Sequence, residues 1–324
     1  MNNPQSANLD PKPQALSPKL RVLVTGAKGQ LGKKIIEILG EKHELILTDS
    51  DDMDITDIEA IRTVVSKEKP DYIIHGAAYT QVDKAEDNVE ICRKVNAFGT
   101  ENIAKVAKEA DIKLIYISTD FVFDGEKTSP YTEEDEANPL SIYGLTKYEG
   151  EEFIRQICDK YYIFRIAWLF GELPEGHPGT NFVEAMLRLA SDRDSLNVVN
   201  DQVGSPTYTG DLVEMLDKIV SSQQLAVSSE NHDSQPQTAN RQPIPYGTYH
   251  FSGTGPCSWY DFAKEIFAQT NTKIDLKPIT SDEYPQKAKR PTYSYMDKSK
   301  IEKTLGITVR SWQEMLREYL SKRK

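Results

Sequence analysis

Cysteine is nearly absent from this 324-residue chain: Cys92, Cys158 and Cys257 are the only three, far apart and without metal-ligand spacing. That scarcity excludes a disulfide framework and a thiolate metal centre, and the three read as inert thiols in a reducing compartment. Long apolar runs are missing too, so no membrane span is expected. An excess of positive charge is lacking: 39 Lys and Arg stand against 50 Asp and Glu, a net charge of −11. Nucleic acid and anionic membranes both require a positive field, so neither is an expected partner. An anionic ligand held locally by backbone N–H groups is compatible with that balance. The opening "MNNPQSANLDPKPQALSPKL" has no apolar core, which argues against a secretory signal. Residues 1–19 read as a disordered tail, and the protein as cytoplasmic.

What is present is alternation. The runs "LRVLVTG", "ELILTD", "DYIIHGAA", "KLIYIST" and "YYIFRIAW" are solid apolar strands, the pattern of a parallel sheet covered by helices on both faces. Between them, "LGKKIIEIL" sets Leu31, Ile35 and Leu39 on one helical face. In "TDIEAIRTVVSKEK" Thr56 is the expected cap, and further helices are expected over about 89–110 and 143–160. Strand–helix alternation at this pace implies an α/β, doubly wound, Rossmann-like domain over residues 20–170.

Beyond about Phe170 the rhythm changes. "TNFVEAMLRLA", "GDLVEMLDKIV" and "WYDFAKEIFAQ" read as helices and "GTYHFSG" as a strand. Ser311 is expected to cap a last helix that packs Trp312, Met315, Leu316 and Leu320. Residues 171–324 are read mainly as a smaller substrate-binding lobe. Within it, 221–245 is polar and poor in large apolar residues, a flexible surface insertion. His232 lies there without partners, and no metal site is expected.

The first site signal is "VLVTGAKGQLG", where Gly26, Gly29 and Gly32 lie directly between a strand and a helix. Glycine there permits a tight turn and lets backbone approach a diphosphate at the helix N-terminus. The spacing departs from the G-x-G-x-x-G fingerprint, and a plain β–α turn also uses glycine. Its place in a βαβ unit favours a dinucleotide. Asp49, ending the second strand, suits a ribose 2′-OH and would repel a 2′-phosphate. With Asp51 and Asp52 it leans toward NADH, although the same acids read as a solvated turn, and Lys28 keeps NADPH open. Asp54 and Ile55 could frame an adenine, or equally end a strand and cap a helix. The small residues Ala77 and Ala78 would let a strand end lie against the cofactor.

The second signal is "STDFVFDG" followed by "IYGLTK". Tyr143 and Lys147 stand four apart and share a helix face, with Cβ atoms about 5–6 Å apart. An ammonium so placed is expected to favour the phenolate and lower the tyrosine pKa from roughly 10. Thr119 ends the preceding strand, on the carboxyl edge where doubly wound sheets bind ligands. Tyr143 can then protonate a carbonyl oxygen that Thr119 holds. As a lone pattern Y-x-x-x-K also describes a tyrosine packed on a lysine stem. After a glycine-rich first turn and a strand ending "ST", it reads as ketone reduction.

These motifs, together with "DITD", "AAYTQVDKAE", "RIAWLFG", "NDQVGSPTYTGDL", "CSWYDFA" and "KRPTYSYMDKSKI", resemble the extended short-chain dehydrogenase/reductases over about residues 20–320. The nearest branch acts on dTDP-sugars. The resemblance implies reduction of the 4-keto group of dTDP-4-dehydro-β-L-rhamnose with NADPH or NADH. Carried over residue by residue, it implies Thr119, Tyr143 and Lys147 as the catalytic set. It puts Gly29, Gln30 and Leu31 at the diphosphate, Asp49, Asp54 and Ile55 at the adenosine, and Ala78, Tyr79 and Thr80 beside the cofactor. Lys147 would also hold the nicotinamide ribose. Thr119, Asp120 and Trp168 would face the sugar, and Arg290 would pair with nucleotide phosphates. Mg2+ enters from the resemblance alone, with no ligand cluster visible in the spacing. A homodimer is a further expectation. The family usually has tyrosine where Phe121 stands, a change expected to lie away from the chemistry. A non-catalytic regulatory subunit, like the beta subunit of methionine adenosyltransferase, or a 4-epimerase would use the same motifs.

Overall fold

A computed structural model of the chain describes residues 19–177, 179–222 and 244–323. The expected tail, apart from Lys19, and the insertion between 223 and 243 lie outside the described residues. The ends of the insertion belong to the fold: Ser221 and Ser222 finish the helix Thr209–Ser222, and Ile244 is buried.

Five apolar runs form β1 (Arg21–Thr25), β2 (Glu44–Thr48), β3 (Tyr72–His75), β4 (Lys113–Thr119) and β5 (Tyr161–Ile166). They pair in parallel, in the order β5-β4-β3-β1-β2. The chain is connected by α1 (Gln30–Leu39), α2 (Ile58–Glu68), the short α3 (Val82–Ala85) and α4 (Val89–Arg93), α5 (Thr100–Glu109) and α6 (Ile142–Ile157). Because a parallel sheet is covered on both faces, its strands split their side chains between two apolar layers. Leu23, Ile73 and Leu114 meet Ile61, Ile103 and Ile154 on one face. Val22, Ile74 and Phe164 meet Ile35 and Leu39 on the other.

That second layer continues into the C-terminal half, through Leu216 and Phe262 to Trp312, Met315 and Tyr319. The strand Gly247–Phe251 also returns to the sheet and pairs in parallel with β5. The six-stranded sheet is therefore completed by residues far beyond position 170. The last helix, Trp312–Lys322, is closed by a capping box between Ser311 and Glu314, as its sequence predicts.

Two local expectations change. The cap of α2 is Asp57 and not Thr56: its Oδ1 accepts from the N–H of Glu59 at 2.9 Å, a reach the preceding threonine does not have. The helix expected over 89–110 is interrupted by a π-helical turn, Lys94–Gly99, between α4 and α5. Such turns insert a residue without breaking the helix and often mark functional sites.

Candidate active site

The strand order reverses between β1 and β3, and open α/β sheets bind ligands where the carboxyl ends part at such a point. β1 leaves the sheet through Gly26 at φ +73°, a left-handed conformation that glycine adopts without cost. A Cβ there would lie 2.9 Å from the backbone nitrogen of Ala77, so the two loops close on each other only through a bare Cα. At Gly32 a Cβ would lie 2.3 Å from the carbonyl oxygen of Ala27, which lets α1 start hard against its own turn. Gly29 caps α1 with no side-chain hydrogen bond, and the first turn holds no acid. Its N–H groups are thus left for an anion. Leu31 has its side chain in the core, and the amide oxygen of Gln30 accepts from Asn181 Nδ2 at 3.1 Å. What Leu31 can offer a diphosphate is its backbone.

Asp49 lies at the mouth of this loop. Its Oδ2 accepts from the N–H of Lys28 at 3.1 Å and its Oδ1 from that of Ser50 at 2.8 Å. Lys28 itself is paired with Asp51 at 2.9 Å, both side chains exposed. Asp54 accepts from the N–H of Thr56 at 2.8 Å, which holds its carboxyl below the usual range. Ile55 is 7% exposed and packs where Gly99, in the π-helical turn, has no side chain. It belongs to the core more than to an open ring face. The loop after β3 carries Ala78, Tyr79 and Thr80, with Thr80 exposed. Buried Asn96 clamps it: Oδ1 accepts from Tyr79 N–H at 2.7 Å, and Nδ2 donates to the Tyr79 carbonyl at 3.1 Å and to Thr146 at 3.2 Å. Nothing in the spacing of the sequence marks Asn96, because its partners are many residues away.

Thr119, Tyr143 and Lys147 do come together. Thr119 is the last residue of β4 and is buried; its hydroxyl accepts from Phe121 N–H and donates to Asp120 Oδ1, both at 3.2 Å. Ser141 caps α6 by accepting from Gly144 N–H at 3.2 Å, which puts Tyr143 in the first turn. Tyr143 is brought beside the end of β4, because the next residue, Gly144, lies bare against the backbone carbonyl of Phe121, and the Thr119 hydroxyl is close enough to act on its phenol. Lys147, 3% exposed, donates from Nζ to the Ile117 carbonyl at 2.7 Å and lies 4.1 Å from the centre of the Tyr116 ring.

The expected acidification of Tyr143 is not what this arrangement produces. Burial raises its pKa, and the Thr119 hydroxyl only works against that rise. The ammonium responds to the same desolvation: burial lowers Lys147 to about 7, opposed by the carboxylate of Glu151. Nζ is turned to a backbone carbonyl, so loss of water outweighs the helical neighbour. Phe121 is also closer than expected to the chemistry, with its ring edge-on to Tyr143 at 5.7 Å.

On the other side of Thr119, Asp120 is 1% exposed and accepts from Ser294 Oγ at 2.6 Å; burial lifts its pKa to about 6. Trp168 follows β5 at φ +47°, a strained value for a bulky side chain. Its ring stacks on Trp259, with centroids 3.6 Å apart and planes at 12°. Arg290 lines the same cleft, but its guanidinium is engaged by Asp83 rather than free for a phosphate. The cleft between Asp120, Trp168, Gln202, Trp259, Arg290 and Ser294 encloses about 10 Å³, room for roughly one water. A larger groove of about 760 Å³, flanked by Lys34, Glu172, Glu184 and Lys322, shares no residue with this site. It is lined with ion pairs, whereas the small cleft includes Asp120 and Phe121, which directly follow Thr119. Ser294, Trp259 and Asn96 were not legible as site residues, although Ser294 lies within the "KRPTYS" motif.

Among the described residues no group of three or more His, Cys, Asp or Glu converges to hold a metal ion, and nothing here supports the Mg2+ implied by the resemblance. None of the described helices is long and apolar enough to cross a membrane.

A family model described as the RmlD substrate binding domain matches residues 20–324. A dTDP-4-dehydrorhamnose reductase from Aggregatibacter actinomycetemcomitans is 38% identical over 305 residues, covering 92% of this chain and 97% of the relative. The Bacillus subtilis spore coat polysaccharide biosynthesis protein SpsK is 38% identical over 304 residues, with 94% and 98% covered. The crystal structure of a dTDP-4-dehydrorhamnose reductase from Bacillus anthracis in complex with NADP superposes with a TM-score of 0.83 at 38% identity, covering 94% of this chain and all of that one.

Proposed function

The chain belongs to the RmlD substrate binding domain family, and from that premise we propose that it reduces the 4-keto group of dTDP-4-dehydro-β-L-rhamnose, with NADPH or NADH, to give dTDP-L-rhamnose. Several relatives matched over nearly their whole length are named dTDP-4-dehydrorhamnose reductases, so the regulatory-subunit alternative gives way.

Bound NADPH or NADH supplies the hydride. The loop of Gly26 and Gly29 and the first turn of α1 would hold its diphosphate, Asp49 and Asp54 its adenosine side, and Ala78, Tyr79 and Thr80 the face toward β3. The fit of a dinucleotide is supported by the bare Cα of Gly26 against Ala77 and by the uncapped N–H groups of α1. Tyr143 gives its hydroxyl proton to the C4 oxygen as that oxygen gains charge, and Thr119 donates a hydrogen bond to the same atom. Lys147 then stabilises the phenolate left behind and holds the nicotinamide ribose. A high resting pKa keeps Tyr143 protonated until the developing oxyanion draws the proton off. Asp120 and Trp168 would orient the sugar, and Arg290 would reach its diphosphate by exchanging Asp83 for it.

The observation that carries this reading is the convergence of Thr119, at the carboxyl end of β4, with Tyr143 in the first turn of α6 and with Lys147 one turn further along, its Nζ on the Ile117 carbonyl. The reading takes residues 20–170 as the cofactor-binding domain and 171–324 as mainly the substrate lobe, with Gly247–Phe251 returned to the sheet of the first. The reading extends to a homodimer working in the cytoplasm, where sugar nucleotides and reduced nicotinamides are found; light scattering of the purified chain checks the association state.

The direct test follows loss of reduced-nicotinamide absorbance, with NADH and NADPH run separately. The sugar substrate is generated in place by a dehydratase and a 3,5-epimerase. Substrate-dependent oxidation giving dTDP-L-rhamnose is the expected result. Cofactor binding without oxidation would sink the assignment.

A further inference from the structure

Tyr143, Lys147 and Glu151 stand at successive four-residue steps along α6, so one helix face carries all three toward the sheet. Glu151 is fully buried, and a carboxylate in that position is costly unless every lone pair finds a partner. Its Oε1 accepts from Ser118 Oγ at 2.5 Å and from Arg165 Nε at 3.0 Å. Its Oε2 accepts from Arg165 Nη2 at 2.7 Å and from Arg155 Nη2 at 2.6 Å. Ser118 immediately precedes Thr119 on β4, and the register of β4 and β5 sets Ser118 beside Arg165. One side chain therefore ties α6 to two strands at the level of the catalytic hydroxyls. Arg165 is held just as firmly: it is buried over the ring of Phe123 with two of its nitrogens on Glu151, and its Nη1 has no hydrogen-bond partner.

We propose that Glu151 is a positioning residue for the reduction: by gripping Ser118 and Arg165 it fixes the height of α6 against β4, and with it the placing of Tyr143 and Lys147 beside Thr119. The inference rests on the assignment of Tyr143 as proton donor. The carboxylate has a second effect. The groups that face Lys147 are Tyr143 and Glu151 on α6, Cys92 on α4, His75 on β3 and Tyr116 on β4. Burial raises the Cys92 thiol and lowers His75 to about 3, so both are neutral near pH 7. Glu151 is the formal negative charge among them, and it favours the protonated amine.

The test compares Glu151→Gln with the unaltered chain. Glutamine keeps the shape and removes the charge, so Lys147 is expected to lose its proton at lower pH. We expect kcat to fall by about tenfold or more. The alkaline limb of the kcat–pH profile should move down by about one pH unit, with the Kd for NADPH within about twofold of its starting value. A carboxylate that merely holds the fold together would lower Tm and kcat but leave the limb in place, and that result overturns the proposal. Ser118→Ala deletes one arm while keeping the charge; it should lower kcat without moving the limb. If Glu151→Gln does not fold, undiminished kcat in Ser118→Ala overturns the proposal instead. Turnover surviving in Tyr143→Phe would remove the underlying reading, whereas a dead Tyr143→Phe beside an unaffected Glu151→Gln removes only this inference.

Discussion

The guanidinium of Arg290 lies against the carboxylate of Asp83, with Nη2 to Oδ2 at 2.9 Å and Nη1 to Oδ1 at 3.1 Å. The same carboxylate accepts from the backbone N–H groups of Lys287 and Ala288, both at 3.1 Å, and Lys287 pairs with Asp87. A segment of the C-terminal half is thereby strapped to α3, and its continuation reaches Asp120 through Ser294. The strap and the stacked tryptophans together close the cleft.

Asp83→Asn should loosen this strap. Asp83 is half exposed, so solvent screening limits the ion pair itself, and the loss of stability should stay near about 1 kcal/mol. The kinetic signature is larger: freeing Arg290 should change the KM for the sugar nucleotide severalfold while leaving the Kd for NADPH alone. Arg290→Ala, which removes the phosphate partner, should raise that KM by about tenfold or more. Steady-state kinetics on the two variants check both. An unchanged sugar-nucleotide KM in Arg290→Ala would show that the arginine serves the strap alone.

Tyr143→Phe removes the proton donor and keeps the ring packed on Phe121. Turnover should fall by about a hundredfold or more, the scale of a lost general acid. Cofactor affinity, followed by nicotinamide fluorescence, should be unaffected.

Asp49→Asn keeps an oxygen for one of the two N–H groups, of Lys28 or of Ser50, and removes the charge that repels a 2′-phosphate. The ratio of kcat/KM for NADPH over NADH should rise by about tenfold, near 1.4 kcal/mol of discrimination. A ratio that stays put would mean Asp49 does not face the ribose.

Acid should destabilise the fold before its surface carboxylates titrate. Burial lowers His75 and His250 to about 3 from 6.5, so each contributes stability that is present above the unfolded value and lost as pH falls. Asp120 acts in the opposite direction: raised to about 6 from 3.8, it takes up a proton in the native state first. Between about pH 6 and 5, above the range in which unfolding lets Glu151 and Asp217 take up protons, the unfolded chain holds two more histidine protons and one fewer aspartate proton than the native one, a net of one. Stability should therefore fall by about 1.4 kcal/mol per pH unit on acidification in that window. Urea unfolding at three pH values measures the slope; a flat line would refute it.

Much of the architecture was readable because its cause is local. Solid runs such as "DYIIH" can be buried on both faces only in a covered parallel sheet, and β3 is buried along its whole length. Gly26 and Gly32 could be assigned to a tight turn because no other residue fits there. The boundaries moved where a nearer group competed, as when Asp57 took the cap from Thr56. The π-helical turn had no local signal, since what holds it is Asn96 reaching Tyr79 and Thr146.

By itself, then, the sequence determined the order of strands and helices, the glycine turn, and that Tyr143 and Lys147 share a helix face with a threonine-ended strand before them. Those properties follow from backbone sterics and from helical and strand periods, which act over a few residues. Only the tertiary structure decided the electrostatics and the partners. It raised Tyr143 where its neighbour was expected to lower it, gave Glu151 two strands to hold, returned Gly247–Phe251 to the sheet, and set Asp83 against Arg290. Desolvation depends on everything packed around a group, and an ion pair between residues 207 positions apart depends on how the whole chain folds back.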